Sequence, residues 1–472
     1  MTLLFLLVPL CGIFILNLPR RGVAARFAPW LVAAVCLLLA VFAATSQLAC
    51  WQAFNALLVL PTPLKLAIDP LTAVMLFLVA MVSVAANAVG FSGEDRKLVI
   101  ARSLMLALII GMNGLVMARD LLSVYIFLEI TAVSCFVLIA IDRKVEALAG
   151  SFKYFILSGL ATFAMLTANG LVFMRTGSLS FVYAQAAFVS NDFLVQLSLV
   201  LYVIAFCVKA GVAPFHGWLP DAHASAPNAV SVLLSGIVIK VAGCYLIIRM
   251  MADVFYNQPA IGQAFMALGA FSMVLGAFAA IGQNDMKRVL AFSSVSQMGY
   301  IVMAAGLATP LALIGAVIHI INHALFKSQL FVNAASVKEQ TGTVQLDQLG
   351  GLAERMPVTG WTSIIALLSA AGVPPFSGFW SKLLMIMALV TAGQWVYAGI
   401  AVLMSLVTLA YFLILQRKVF FGKLRQGFEE LTEARVSLLS TSALLAGVTT
   451  LLGLLFPLVL VFLANNGVLW FV

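Results

Sequence analysis

The stretch that decides the fold is residues 206–249, FCVKAGVAPFHGWLPDAHASAPNAVSVLLSGIVIKVAGCYLIIR. It ends one apolar segment at Lys209, crosses a break rich in Gly, Pro and His, and opens a second apolar segment with Lys240 near its middle. A lysine at the centre of a bilayer costs about 2.5–3.5 kcal/mol on insertion scales. Two such lysines, one helix apart, therefore point to a function inside the membrane.

The composition of the chain also indicates a membrane protein. Hydrophobic residues make up 64% and charged residues 9% of the 472 residues, and the mean hydropathy is +1.13. These values exclude a soluble domain. The net charge of +9 comes from basic residues in short turns between apolar segments, so it indicates topology and not nucleic-acid binding. The six cysteines lack metal-ligand spacing and no redox-cofactor or nucleotide motif is present, so we expect no cofactor in this chain.

Apolar segments long enough for membrane helices recur along the whole chain and predict an all-α polytopic membrane protein with about 14 transmembrane helices. The segments are residues 2–18, 28–48, 66–91, 98–118, 121–141, 150–174, 194–213, 228–251, 260–282, 289–309, 311–336, 358–392 with a break, 396–416 and 436–465. No basic residue precedes the first segment, and Arg20, Arg21 and Arg26 follow it, the reverse of a cleavable signal peptide. We therefore expect the N-terminus outside.

Basic residues are distributed unevenly between the two sides. If the loops alternate from an external N-terminus, most of the 26 Lys and Arg residues face the cytoplasm, and only Lys65, Arg119, Arg175 and Arg249 face outward. This asymmetry predicts that both termini lie outside a bacterial-type cytoplasmic (inner) membrane. The remaining basic residues lie within apolar segments: Lys209, Lys240, Lys327 and Lys382.

A short motif occurs twice, as AGVAPFHGW at residues 210–218 and as AGVPPFSGF at residues 371–379. Its prolines have no backbone N–H, so carbonyl groups in the preceding turn lack their usual hydrogen-bond donor. Water or polar side chains must then satisfy these carbonyls. One such break is often only a packing kink, whereas two matched breaks, each with a lysine nearby, favour a functional one. The motif predicts two inverted five-helix repeats with broken helices seven and twelve. The predicted divisions are residues 1–97, 98–252 (first repeat), 253–420 (second repeat) and 421–472.

Ionisable residues inside the apolar segments are candidates for ion transfer. Glu129 is the only acidic residue in its segment, so it must be protonated or find a cation, for which Lys209 is the expected partner. His319, His323 and Lys327 follow one another at intervals of four and therefore share one helix face. Hydrogen-bonded packing is the alternative for a single histidine. A zinc site is disfavoured because no Cys, Asp or Glu near them in sequence completes the ligand shell.

The polar residues of the first break have two interpretations. His216, Asp221 and His223 are either the place where protons enter or a solvated turn. Lys153 lies at the start of its segment, so its side chain is able to extend to the membrane interface without burial of the charge. Asp69 precedes its segment and is expected to cap a helix.

Six longer motifs resemble those of one protein family. They are YIFLE (125–129), FKYFILSG (152–159), KAGVAPFHGWLPDAHASAPNAVSVLLSG (209–236), KRVLAFSSVSQMGY (287–300), NHALFK (322–327) and PPFSGFWSK (374–382). With them, nearly the whole chain resembles the antiporter-like subunits of respiratory complex I, group 4 membrane-bound hydrogenases, formate hydrogenlyase and Mrp-type cation/proton antiporters.

The resemblance implies a role for individual residues. Glu129 matches the essential glutamate of the family and Lys209 the lysine paired with it, while Lys240 matches the central lysine. His319 and His323 match the histidines of the eleventh helix, and Lys382 matches the terminal carrier. One complex I subunit type has glutamate at that last position, so lysine here argues against that type. The histidine and lysine stripe (His319, His323 and Lys327) and Gln297 favour a hydrogenase-related or Mrp-type complex over mainstream complex I.

The implied function is proton translocation within a multisubunit redox-driven complex of the hydrogenase or NADH dehydrogenase type. The relay would run through Glu129, Lys209, Lys240, His319, His323, Lys327 and Lys382. The implied partners are other membrane subunits, a peripheral redox arm on other chains, the lipid bilayer and H+, with Na+ as a second candidate ion and no nucleic acid. An Mrp-type Na+/H+ antiporter subunit, a stand-alone secondary transporter and a purely structural subunit remain as alternatives.

Overall fold

The computed structural model describes residues 2–18, 21–46, 64–189, 192–255, 258–465 and 467, and within these ranges the chain is helical without any strand. The helices are α1 (Leu4–Asn17), α2 (Arg21–Thr45), α3 (Pro70–Val89), α4 (Asp95–Met117), α5 (Leu121–Ile139), α6 (Val145–Thr176), α7 (Phe181–Phe188), α8 (Phe193–Ala210), α9 (Trp218–Ser225), α10 (Asn228–Asp253), α11 (Pro259–Ile281), α12 (Met286–Leu307), α13 (Pro310–Thr341), α14 (Pro357–Ala371), α15 (Ser377–Thr391), α16 (Trp395–Val419), α17 (Val436–Leu454) and α18 (Phe456–Asn465).

Twelve helices in the described ranges are long and apolar enough to cross a membrane, and they correspond to twelve of the fourteen predicted segments. The other two are shorter than predicted. Helix α1 has 14 residues, and the segment at 358–392 divides into α14 and α15 with 15 residues each. Fifteen residues span about 22 Å at 1.5 Å per residue, less than the roughly 30 Å hydrocarbon core. The prediction of an all-α polytopic membrane protein is confirmed, with twelve full-length spans.

Both copies of the duplicated motif interrupt the helical backbone. Helix α8 ends at Ala210, where Gly211 has a φ of 65°, and α14 ends at Ala371, where Gly372 has a φ of 83°. Glycine adopts this left-handed conformation without the steric cost of a Cβ, so it ends both helices at the same point of the motif. The division into two inverted repeats, and the four domain boundaries, stay predictions.

Helices α11 and α12 pack backbone to backbone. A Cβ added to Gly269 of α11 would lie 2.6 Å from the Gly299 carbonyl oxygen, and one added to Gly276 would lie 2.5 Å from the Ser296 nitrogen. Small residues permit such close approach between membrane helices. This seam fixes α12, and α12 in turn packs against α13, which carries the predicted histidine and lysine stripe.

Asp69 anchors a buried ionic cluster. As predicted, it caps α3 by accepting a hydrogen bond from the Thr72 backbone N–H at 2.7 Å, and it also pairs with Arg119 and Arg249 at 2.8 Å each. Burial raises the pKa of Asp69, but the two guanidinium groups outweigh burial and the pKa falls below its usual value. Arg249, expected in an external loop, is only 3% exposed on α10. Arg249 therefore contributes to the contact between α3 and α10.

Candidate functional site

The four lysines predicted to lie within apolar segments are all buried, as are His319 and His323. A buried polar group normally has a hydrogen-bond partner, since an unmade bond costs free energy. The partners of these six side chains therefore describe how the site is built.

Lys209 lies in the last turn of α8 and donates to the Ser158 hydroxyl of α6 at 2.6 Å. Its predicted partner Glu129, on α5, has a buried Oε1 without a hydrogen-bond partner, although the carboxylate lies within electrostatic range of Lys209. The direct pair between Glu129 and Lys209 is therefore not formed in this structure. Ser158, which the sequence did not single out, takes the place of the carboxylate.

Lys240 opens a π-helical turn of α10, Lys240–Tyr245, which closely follows another at Leu234–Val238. Its side chain is 0% exposed and its Nζ has no hydrogen-bond partner. The same turn contains Gly243, where an added Cβ would lie 2.3 Å from the Cα of Ala210. Such π turns occur frequently at functional sites. The wide turn thus packs against the end of α8, next to Lys209, while Lys240 remains unpartnered.

The stripe on α13 has the spacing that the sequence predicted. The His319 ring contacts the Ser381 hydroxyl at 2.9 Å through Nδ1 and the Gln297 Oε1 at 3.1 Å through Nε2. His323 lies next to it, with 6.1 Å between the ring centroids, and neither of its ring nitrogens has a partner. Lys327 donates to the Leu290 carbonyl at 2.8 Å and to the Ser293 hydroxyl.

Lys382 lies on α15, close to the second helix break. Its Nζ donates to the Ala371 carbonyl at 3.1 Å and to the Ser405 hydroxyl at 3.2 Å, and it lies 4.9 Å from the centroid of the Tyr300 ring. Ala371 is the last residue of α14, and the C-terminal end of a helix carries partial negative charge. The broken helix thereby supplies a site for the ammonium group.

One face of α12 contacts the buried ionisable residues of both α13 and α15. Ser293, Gln297 and Tyr300 stand at i, i+4 and i+7, which places them on the same helix face. Ser293 contacts Lys327, Gln297 contacts His319, and Tyr300 lies beside Lys382. We call Ser293, Gln297 and Tyr300 the α12 ladder. Its signal in the sequence is polar residues at helical spacing within KRVLAFSSVSQMGY.

The first break places Asp221 at a partly exposed position on α9. Its carboxylate pairs with Lys153 at 2.5 Å and with Arg288 at 2.8 Å. Burial raises the pKa of Asp221, but hydrogen bonds and charge from these two cations outweigh burial and leave the pKa below its usual value. Lys153 is thus an ion-pair partner and not merely a basic residue at the interface.

The two histidines of the break differ in their surroundings. His223 is fully buried, stacks on Phe331 with 4.8 Å between the ring centroids, and has no hydrogen bond at either ring nitrogen. His216 is only partly buried, and its ring lies 6.0 Å from that of Phe292. Lys287 is 1% exposed and donates to the Ala226 carbonyl at 2.7 Å. It lies within electrostatic range of His223.

A family model described as "NADH:quinone oxidoreductase/Mrp antiporter, TM" matches residues 118–408, which include all the buried lysines and histidines described above. The chain belongs to this family. It is 32% identical over 363 residues to an NADH-quinone oxidoreductase subunit N of Desulforudis audaxviator, covering 75% of this chain and 72% of that protein. It is 28% identical over 412 residues to an Na(+)/H(+) antiporter subunit of Alkalihalophilus pseudofirmus, covering 86% of this chain and 82% of that protein.

Solved structures of the family have the same fold. A chain of the archaeal membrane-bound sulfane sulfur reductase, a respiratory membrane complex, superimposes with a TM-score of 0.88. The sequences are 26% identical, and the match covers 99% of this chain and 96% of that chain. The family resemblance expected from the sequence is therefore confirmed, and the chain is an antiporter-like membrane subunit.

Proposed function

We propose that this chain translocates protons through the membrane as one subunit of a larger complex. The observation that carries the proposal is the series of contacts along the α12 ladder in its second half. Lys327, His319 and Lys382 each contact one residue of the α12 ladder, so buried titratable groups follow one another across the core. Lys240 and His323 extend the row as buried groups without hydrogen-bond partners.

The chemistry of the row favours protons over metal cations. Amines and imidazoles bind and release protons, whereas hard cations such as Na+ and Ca2+ take oxygen ligands. In the described ranges no group of three or more His, Cys, Asp and Glu side chains is placed to hold a metal ion. Glu129 is the one carboxylate of the row, and its unpartnered Oε1 leaves it free to approach or leave Lys209.

The relatives support two kinds of complex. One is an NADH-quinone oxidoreductase subunit and another is an Na(+)/H(+) antiporter subunit, and both cover most of this chain. The sulfane sulfur reductase is itself a respiratory complex. We infer that this chain assembles with other membrane subunits and a peripheral redox arm in a cytoplasmic membrane, both termini outside. The second candidate is the corresponding position in an Mrp-type antiporter.

Single replacements in the complete complex test the proposal. Lys382→Met should abolish proton uptake by inverted membrane vesicles while the complex still assembles, because methionine fills similar space without a titratable group. Lys418→Met is the matched control, since Lys418 is an exposed lysine at the end of α16. Retained uptake in Lys382→Met would favour a purely structural subunit. Full transport by the purified chain without partners would favour a stand-alone transporter.

A further inference from the structure

Tyr411 is a buried hydroxyl that the row of carriers does not yet include. It lies on α16, is 1% exposed, and its hydroxyl oxygen has no hydrogen-bond partner. The side chains of Thr408, Gln297 and Ser293 lie within interaction range of this hydroxyl. Buried tyrosine hydroxyls usually find a partner, so an unpartnered one beside two residues of the α12 ladder requires an explanation.

The position of Tyr411 on α16 places it between two carriers. Its neighbour Phe412 has its ring centroid 5.5 Å from the Lys327 Nζ. Ser405, seven residues before Phe412, accepts from Lys382 at 3.2 Å. Seven residues of α-helix span about 10 Å, so α16 extends from one lysine to the other, and Tyr411 lies within this stretch.

The α12 ladder itself is interrupted at this point. Ser293, which contacts Lys327, and Gln297, which contacts His319, are one helical turn apart, about 6 Å along the axis. Proton transfer needs donor and acceptor atoms within about 2.6–3.2 Å. The Gln297 Nε2 and both ring nitrogens of His323 are buried here without partners, like the Tyr411 hydroxyl. Buried donors and acceptors without partners therefore occur on Gln297, His323 and Tyr411, at the step from Lys327 to the histidines.

We propose that Tyr411 relays the proton between Lys327 and the histidine pair His319 and His323. This proposal rests on proton translocation by the chain. A hydroxyl accepts a proton at its oxygen while it donates its own. In the transfer, the Lys327 ammonium loses one proton, one imidazole nitrogen gains one, and Tyr411 keeps its charge. Gln297, which contacts His319 and lies beside Tyr411, positions the hydroxyl at this step.

Removing only the hydroxyl tests the proposal in the intact complex reconstituted into liposomes. Tyr411→Phe should lower potential-driven proton uptake at least about tenfold, since acid–base groups contribute about 10²–10⁴-fold. The matched control is Tyr202→Phe, because Tyr202 is equally buried and its hydroxyl donates to Asn169 at 2.5 Å, outside the row. This control should keep the wild-type rate.

A second variant separates a relay from a packing role. Replacing Tyr411 by 3,5-difluorotyrosine keeps the ring and the hydroxyl but makes the hydroxyl more acidic, so the pH profile of proton uptake should shift to lower pH. An unchanged profile together with wild-type uptake in Tyr411→Phe would overturn the role of Tyr411. If Lys382→Met lost uptake in the same experiment, proton translocation by the chain would still stand, whereas wild-type uptake in Lys382→Met would overturn both.

Discussion

Replacing Lys240 by methionine should stabilise the protein while it abolishes proton transfer. Lys240 is fully buried and its Nζ has no hydrogen-bond partner. A structural lysine would lose a favourable contact on replacement, but this side chain has none to lose at Nζ. Methionine has a flexible side chain of similar length and adapts to irregular space.

The expected gain follows from the cost of an unpaired polar group. Leaving a buried donor unsatisfied costs about 1–3 kcal/mol, and more when the group is charged. Lys240→Met removes this cost, so the free energy of unfolding should rise by about 1–3 kcal/mol. Arg249→Met is the contrasting variant on the same helix, because Arg249 pairs with Asp69 and Asp253. Breaking a buried ion pair costs about 3–5 kcal/mol, and less here because Arg119 still pairs with Asp69.

Both variants are measured by unfolding in mixed micelles with increasing sodium dodecyl sulfate, followed by circular dichroism. The sign of the change in the free energy of unfolding distinguishes a carrier from a structural residue. Lys240→Met should be more stable than the wild type and Arg249→Met less stable. Proton uptake of the complex is measured in parallel. A loss of more than about 1 kcal/mol in Lys240→Met would show that Lys240 is a structural residue and would refute the reasoning.

Four further predictions concern coupling, packing, pH and topology. Glu129→Gln should lose coupled proton transfer in vesicles, whereas Glu129→Asp should keep part of it, and full activity of Glu129→Gln would exclude a moving carboxylate. Gly269→Ala should lower the free energy of unfolding by about 1–3 kcal/mol through overpacking, whereas Gly159→Ala, with open space around it, should be neutral or stabilising; equal effects would contradict the close seam. Asp221→Asn should destabilise the protein at neutral pH, and the difference from the wild type should vanish as pH falls through the lowered folded pKa, below about 3.9, because the ion pairs act only while the carboxylate is ionised; a difference that persists in acid would contradict this. Cysteines placed at residues 417–435 and at the C-terminus should be labelled from opposite sides of the membrane, and labelling from one side would contradict the predicted topology.

The sequence identified the buried ionisable residues more readily than their hydrogen-bond partners. Lysines and histidines inside apolar segments are conspicuous because burial is costly for them, so Lys240, His319 and Lys327 were found from composition and spacing. Ser158 and Ser293 are ordinary polar residues in membrane helices, and nothing local distinguishes them. Their contacts with the lysines become apparent only from the packing of α6 against α8 and of α12 against α13.

The burial of two basic residues was not apparent from the sequence. Lys287 and Arg249 lie at or near helix ends, where the sequence predicted only the side of the membrane that they face. In the structure both are buried, because Lys287 reaches the Ala226 carbonyl and Arg249 reaches Asp69, 180 residues away in sequence. Such long-range partners cannot be read from a single chain. In the segment at 358–392, the helices α14 and α15 are separated by residues that include Gly372, Pro374 and Pro375, and Gly and Pro are the residues that most often mark such interruptions.

Proton flux through the reconstituted complex tests the central claim most directly. The complete complex is placed in liposomes containing a pH-sensitive dye, and a potassium diffusion potential, negative inside, is imposed without sodium. The wild type should acidify the lumen, and a variant carrying both Lys240→Met and Lys382→Met should acidify it no faster than protein-free liposomes. Equal acidification by the wild type and the double variant would contradict a proton path along the buried lysines and histidines of this chain.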